Sequence, residues 1–228
     1  MKVAALIPAR SGSVRVTDKN VRVLGKYPLL ARKIKQLQSG RIDEVFLGSN
    51  DPNYLGIAEE YGATPILRSD FSCNEEEASA NDMIADFVKR IPEDFDVIVW
   101  AHCTNPFLFG RHYDAAITLF QENSDSFDSI LSVQRVQNHM WASEGKPVNY
   151  NPWSETHALA KSLEPVFFQT GGIFIQWAKN MKENSYFFGE KPKFIIHDEI
   201  ESTDIDTELD FLIAENLVQL IDEKENFS

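Results

Sequence analysis

Three cations, Arg10, Arg15 and Lys19, crowd the stretch ARSGSVRVTDKN at residues 9–20, directly after the apolar run KVAALIP at residues 2–8. Gly12 lets the backbone approach an anion closely, and the N–H groups of Ser11, Gly12 and Ser13 can point at it. A buried strand, a small-residue turn and a cation cluster together make a cradle for a polyphosphate. The stretch has neither the GxxxxGK[ST] spacing of a P-loop nor the GxGxxG spacing of a dinucleotide fold. The chemistry implied is transfer of a nucleotidyl group from a free nucleoside triphosphate.

A second constellation lies near the carboxyl end, where Asp204, Asp206 and Asp210 surround Ile205 and Thr207. In an extended segment Asp204 and Asp206 point to the same side, because side-chain direction has period two. Two carboxylates on one side suit Mg²⁺, which commonly takes one or two protein carboxylates plus substrate phosphates. The competing reading is a helix cap, with Asp206 or Thr207 capping a helix that starts at Glu208. The upstream loop favours the metal, since a triphosphate needs a cation.

The elements that position these residues follow from composition and periodicity. A chain of 228 residues, 43 % hydrophobic, can form one large α/β domain spanning residues 1–228. A net charge of −13 and a pI near 4.8 disfavour nucleic acid as a partner and make the basic amino-terminal loop a local exception. Cys73 and Cys103 form no CxxC pair and are expected as free thiols in a cytoplasmic protein. No apolar stretch reaches the length of a membrane span, and the amino terminus reads as a strand, with no signal peptide.

Strands are predicted over 3–7, 44–49, 64–67, 97–101, 129–134, 172–176 and 193–196. Helices are predicted over 29–39, 52–61, 79–90, 110–123 and 207–222, the last from Leu209, Ile213, Leu217 and Leu220 at helical spacing. This alternation implies a mostly parallel twisted sheet with helices on both faces. Ligands then sit at the carboxyl ends of the strands, in the loops after Ile7, Ser49, Ala101 and Gln176. Residues 135–165 break the rhythm with turn residues and several aromatics, among them Met140, Trp141, Tyr150 and Trp153. Such an excursion suits a substrate lid or a subunit contact.

IPARSGSVRVTDKN resembles the amino-terminal signature of the acylneuraminate cytidylyltransferases, the CMP-sialic acid synthetases. The resemblance continues through Gly25 and Pro28-Leu29 and through GSNDPNYLGIAEEYGATPILR at residues 48–68. CTNP at 103–106 stands where the family has PTSP, TGGIFI at 170–175 is similar to its NGAIYI, and YFF at 186–188 and DIDTELDF at 204–211 match. Octulosonate (Kdo) cytidylyltransferases are relatives, and Ser13-Val14-Arg15 looks like their variant of the loop.

The resemblance implies a nucleotide-diphospho-sugar-transferase-like fold with a dimerisation excursion. It also implies a reaction: CTP and a 3-deoxy-2-ulosonic acid, a sialic acid or related nonulosonate, give a CMP-sugar and pyrophosphate with Mg²⁺ as cofactor. A homodimer is implied. Carried over by position, Arg10, Ser13 and Lys19 hold the phosphates with Ser11, Gly12 and Arg15 beside them, and Asn20 supports the loop. Arg68 matches the arginine of cytosine recognition, Ser79 joins the nucleotide pocket, and Asp204 and Asp206 match the metal carboxylates. Arg10, Lys19 and Asp206 carry the catalysis. His102, Lys161, Thr170, Gly171, Phe187 and Phe188 are placed on the sugar side. Arg15 reads equally well as a solvated surface charge, and Phe187 and Phe188 equally well as core.

The departures fall mostly on the acceptor side. Val14 replaces the loop lysine, His102 the glutamine before the PTSP-like turn, Ala160-Lys161 an arginine–glutamine pair, Thr170 an asparagine and Phe174 a tyrosine. Lys161 is a point charge where the family has a bidentate fork. The acceptor is therefore expected to differ from ordinary N-acetylneuraminate. An octulosonate or phosphonate cytidylyltransferase and a non-catalytic nucleotide-binding homologue stand as the alternatives.

Overall fold

The first strand, β1 (Val3–Pro8), is buried on both sides, as a central parallel strand must be. Val3, Ala5 and Ile7 enter one hydrophobic layer, and Ala4 and Leu6 enter the other, the period of two of a pleated strand. The computed structural model of the chain describes every residue except Ser11, Ser13, Val14, Glu75 and Ser228. A small hairpin, β2 (Val23–Leu24) with β3 (Tyr27–Pro28), leads into α1 (Leu29–Gln38) and β4 (Glu44–Ser49). Then come α2 (Pro52–Glu60), β5 (Thr64–Leu67), α3 (Ala80–Val88), β6 (Val97–Trp100) and α4 (Gly110–Asn123). The chain ends with β7 (Ser129–Val136), β8 (Val166–Trp177), α5 (Ala178–Asn184), β9 (Pro192–His197) and α6 (Glu208–Glu225).

The seven long strands form one sheet in the order β5-β4-β1-β6-β8-β7-β9. All its pairings are parallel except those of β8, which runs antiparallel to both β6 and β7. One face is covered by Leu30, Ile34 and Leu37 of α1, Tyr54 and Ala58 of α2, and Tyr113, Ile117 and Phe120 of α4. Ile84, Phe87 and Val88 of α3 with Ala178 and Met181 of α5 cover the other. The expected doubly covered, mostly parallel sheet is what forms. The hairpin β2–β3 and the helix α5 carry no periodic signal and were not expected. β8 begins six residues before the predicted strand, because its first half pairs with β7 from Val133 to Val136.

The caps follow local chemistry. Asp51 accepts from the Asn53 N–H ahead of Pro52 at the start of α2. Ser79 with Asp82 and Thr207 with Asp210 form capping boxes on α3 and α6.

The helix α6 turns a different face inward from the predicted one. Phe211, Ala214, Val218 and Ile221 are buried against Val16, Leu24, Leu29, Phe107 and Ile205. Leu209, Ile213 and Leu220 of the predicted stripe are exposed, as is Leu212. The aromatic anchor decides: Phe211 packs in this third cluster and lies beneath the Arg22 guanidinium, 3.7 Å from its ring centroid.

One buried ion pair ties α6 to the body. Arg32 of α1 is fully buried and donates from Nη1 and Nη2 to the two carboxylate oxygens of Asp222 at 2.9 and 2.5 Å. Removing one partner strands a buried charge, whereas an exposed pair contributes little. Asp222→Ala is therefore expected to lower unfolding free energy by about 3 kcal/mol, read by urea denaturation. Glu208→Ala, which breaks the more exposed pair with Arg22, should change it by less than about 1 kcal/mol.

Candidate active site

The site forms where β1, β4, β5 and β6 end. The cradle chain leaves β1 through Ala9, whose N–H donates to the Gly48 carbonyl at 2.9 Å. Gly12 holds φ +78°, and no atom lies within 4 Å of where its Cβ would stand, so the backbone is open to an approaching anion. Asn20 latches the loop: its Nδ2 donates to the Arg10 carbonyl at 2.9 Å, while its Oδ1 accepts from Cys103 Sγ at 3.2 Å. Asn20 is thus a support whose amide is engaged at both ends. Ser11 and Ser13, also placed on the phosphates, lie outside the described residues, and Arg10 Nη1 reaches the Gly12 carbonyl at 3.4 Å.

The carboxyl-terminal carboxylates come to the same place. Lys19 Nζ donates to the Ile205 carbonyl at 2.7 Å and to Asp206 Oδ1 at 3.4 Å. Arg15 Nη2 donates to the same Asp206 oxygen at 2.9 Å. Arg15 is exposed, yet it is paired into the site. Asp204 lies deeper. Burial pushes its carboxyl up, Asp206 and Asp210 push the same way, and a hydrogen bond from Thr104 with the charge of Lys19 opposes them. Among the described residues Asp204 Oδ1 is buried without a hydrogen-bond partner. The helix-cap alternative goes to Thr207, whose Oγ1 accepts from the Asp210 N–H while Asp210 returns the bond. Asp206 contributes only its own N–H to Asp210.

The segment carrying these carboxylates is braced from behind. Glu201 bridges His112 Nε2 at 2.9 Å and His197 Nδ1 at 3.2 Å. Burial alone would raise the Glu201 carboxyl, but hydrogen bonds from His112, the Asp198 N–H and His197 hold it down at about 2.

Two cavities adjoin there. One, of about 270 Å³, is lined by Arg10, Arg15, Lys19, Asp204 and Asp206. The other, of about 370 Å³, is lined by Arg68, Ser72, Asn74, Ser79 and Met83. Pro8, Arg10 and His102 wall both. Arg68 is buried, with Nη2 donating to the Ser72 carbonyl at 2.7 Å and Nε left without a hydrogen-bond partner. The Ser79 hydroxyl lines the cavity but also donates to Asp82 in the α3 cap at 2.6 Å. Asn74 and Met83 carried no sequence signal, because a short-range pattern does not report which turns converge.

The structure places the acceptor-side residues unevenly around the two cavities. Thr170 is buried and its hydroxyl bonds Ser132 Oγ at 2.9 Å, filling the register shift between β7 and β8; it faces the sheet and no cavity. Lys161 stands exposed on a short 3₁₀ turn, Ala160–Ser162, and lines neither cavity. Phe187 stacks on Phe174 at 4.8 Å and packs edge-on to Trp100, and Phe188 lies 6.3 Å from Phe174, so both are partly core. His102 Nε2 accepts from the Trp100 indole at 3.1 Å, and its other edge meets Gly171, which holds φ +73° with its Cβ position 3.4 Å from Nδ1. In this arrangement both ring nitrogens are turned to protein groups, Trp100 and Gly171, while the ring walls both cavities.

His102 has a pH signature. Burial lowers its pKa to about 4, helped by the nearby charges of Lys33 and Lys19. Below about pH 6.5 the unfolded chain takes up a proton that the folded ring refuses, so stability is full above that pH and falls toward pH 4. The loss from this ring is on the order of 3 kcal/mol. His102→Gln is expected to flatten that limb of a denaturation-against-pH series; an unchanged limb contradicts the assignment.

The comparisons agree with this geometry. The chain is 29 % identical over 227 residues to the CMP-N,N'-diacetyllegionaminic acid synthase of Legionella pneumophila, covering 96 % of this chain and 97 % of the relative. It is 25 % identical over 227 residues to the pseudaminic acid cytidylyltransferase of Campylobacter jejuni, covering 96 % and 97 %. The N-acylneuraminate cytidylyltransferase of Escherichia coli is 29 % identical over 233 residues, and the chain spans 52 % of that longer relative. Among solved structures, a CMP:2-keto-3-deoxy-manno-octonic acid synthetase complexed with CTP superposes with a TM-score of 0.70 at 12 % identity, over 96 % of this chain and 99 % of that one. That likeness shows the fold. A family model described as "Cytidylyltransferase" matches residues 4–213, so the chain belongs to the cytidylyltransferase family.

Proposed function

We propose that the chain joins CTP to a 3-deoxy-2-ulosonic acid of the nonulosonate class, giving a CMP-sugar and pyrophosphate. The observation that carries this reading is the pair of adjoining cavities at the carboxyl edge of the sheet, one lined by Arg68 and suited to a base, the other lined by cations and carboxylates and suited to phosphates. The names of the relatives, which act on legionaminic, pseudaminic and acylneuraminic acids, support the acceptor class.

In this reading the anomeric hydroxyl oxygen of the sugar attacks the α-phosphorus. The bond from that phosphorus to the bridging oxygen breaks, pyrophosphate leaves with its electron pair, and the hydroxyl proton passes to solvent. Arg10, Arg15 and Lys19 neutralise phosphoryl charge, and the fixed walls hold the reactants in line. Asp204 and Asp206 fit Mg²⁺: Asp204 Oδ1 is buried and unpartnered, and a cation would relieve its repulsion from Asp206. Bound there, Mg²⁺ supplies charge neutralisation and lowers the pKa of the attacking hydroxyl.

We also assign the excursion at residues 135–165 to a two-fold homodimer contact closing over the neighbouring acceptor site. Trp141 and Trp153 are 48 % and 76 % exposed and meet edge-to-face at 6.5 Å, so they fill no internal core. Leu159, in the same segment, is exposed as well.

Four measurements test the reading. Pyrophosphate release with CTP and a panel of nonulosonates and octulosonates is expected to show turnover with a nonulosonate; CTP binding without turnover on any acid overturns the reading. Lys19→Ala should weaken CTP binding by about 1.5–3 kcal/mol, roughly ten- to a hundredfold by calorimetry. Asp206→Asn should remove most turnover while leaving the melting temperature unchanged, since Thr207 and Asp210 keep the helix cap. Light scattering on the Trp141→Ala, Trp153→Ala double variant should show a smaller species than the parent; a parent that is monomeric and fully active at micromolar concentration refutes the dimer.

A further inference from the structure

Asn105 belongs to none of the groups placed on substrate, yet it is fully buried between the parts that carry them. Its Nδ2 donates to the Thr203 carbonyl at 3.1 Å, one residue before Asp204, and to the Thr170 carbonyl at 3.1 Å, one residue before Gly171. A few atoms away the Ile205 N–H donates to the Thr104 carbonyl at 2.9 Å. One amide group thus joins the carboxylate segment to the strand that walls His102. Among the described residues Asn105 Oδ1 has no hydrogen-bond partner, so the side chain is held there by its donors.

The turn that carries Asn105 is fixed from behind. Lys33 Nζ, fully buried, donates to the Asn105 carbonyl at 2.8 Å and to the Tyr113 hydroxyl at 2.9 Å. Arg32 Nε and Gln36 Nε2 both donate to the Pro106 carbonyl, at 2.9 and 2.6 Å. Burying three long polar side chains of α1 is costly unless each is bonded, and each is bonded to this turn or its neighbours. The turn is accordingly a rigid base, and the bridge transmits its position to both segments.

We propose that Asn105 is a positioning residue: through its two-carbonyl bridge it sets the separation between Asp204–Asp206 and the Gly171 wall. The inference rests on the reading of Asp204 and Asp206 as cation ligands. Asn105→Asp keeps the shape but turns an oxygen toward two carbonyls. In ligand-free Asn105→Asp, hydrogen exchange is expected to quicken at least tenfold at the Ile205 amide and at the amides of residues 171–172. Mn²⁺ affinity in the presence of CTP is expected to fall about tenfold, while CTP affinity in EDTA stays within twofold.

Unchanged exchange in either segment, or unchanged Mn²⁺ affinity in a protein that binds it, overturns the proposal. If wild-type protein binds no Mn²⁺ with CTP, the cation reading of the carboxylates falls instead, and the exchange rates still decide the bridge. Should Asn105→Asp fail to fold, Asn105→Ser serves. Its single hydroxyl proton can hold one carbonyl only, so exchange should quicken in one segment, and wild-type rates in both would refute the bridge.

Discussion

The site depends on keeping opposite charges together without letting them collapse into a permanent salt bridge. The ligand-free arrangement places Arg15 and Lys19 on one oxygen of Asp206. Arg15 is 68 % exposed and Asp206 45 %, so that pair contributes little and is easily exchanged. Lys19, 14 % exposed, is anchored instead by the Ile205 carbonyl. Its ammonium stays where it is whichever anion arrives. In the proposed reaction an incoming phosphate would meet Lys19 held in place and Arg15 in an exposed, exchangeable pair, in a chain whose net charge of −13 would otherwise repel it.

That arrangement is possible because the strand ends are held by side chains of α1. Beyond Trp100 the chain leaves the sheet, and the carbonyls of Asn105 and Pro106 have no strand to pair with. Unpartnered buried carbonyls are costly. Lys33, Arg32 and Gln36 supply the donors, and this is why three polar residues sit at zero exposure on a helix that also packs Leu30, Ile34 and Leu37 into the core. Burial lowers Lys33 to about 7, so desolvation works against the ammonium that makes those contacts. The same helix holds α6 through Arg32 and Asp222, and α6 follows the metal-type carboxylates directly. Core packing, loop position and site geometry are thus one mechanical unit.

The sequence reveals the alternation of strands and helices because β1 and β6 are short and uniformly apolar and β4 has an apolar centre. It reveals the cradle because small residues and cations there are locally anomalous. Two kinds of information were hidden. On α6 both Leu209–Ile213 and Phe211–Ala214 have helical spacing, and periodicity cannot choose between them; the choice falls to the pocket formed by Val16, Leu24 and Ile205, residues distant in sequence. On the acceptor side, Thr170 looks like a ligand by position, yet the β7–β8 register shift turns its hydroxyl into the sheet to meet Ser132. Such shifts arise from pairing between strands and leave no local trace.

His102 shows how a substitution can preserve place without preserving capacity. Glutamine offers both donors and an acceptor, whereas this ring accepts from Trp100 and turns its other nitrogen to Gly171. A neutral imidazole so engaged presents an apolar edge to the two cavities it separates. Phe187 packs against the same ring at 6.3 Å, and Phe174 at 6.2 Å. The wall between the cavities is accordingly more aromatic and less polar than a glutamine would make it. A pocket that rejects by shape discriminates only weakly against an added hydroxyl. In the proposed reaction, discrimination among ulosonic acids by this wall would then come from bulky, less polar substituents, which gain from contact with aromatic faces, while the cations across the cavity would hold the phosphates whichever acid arrives.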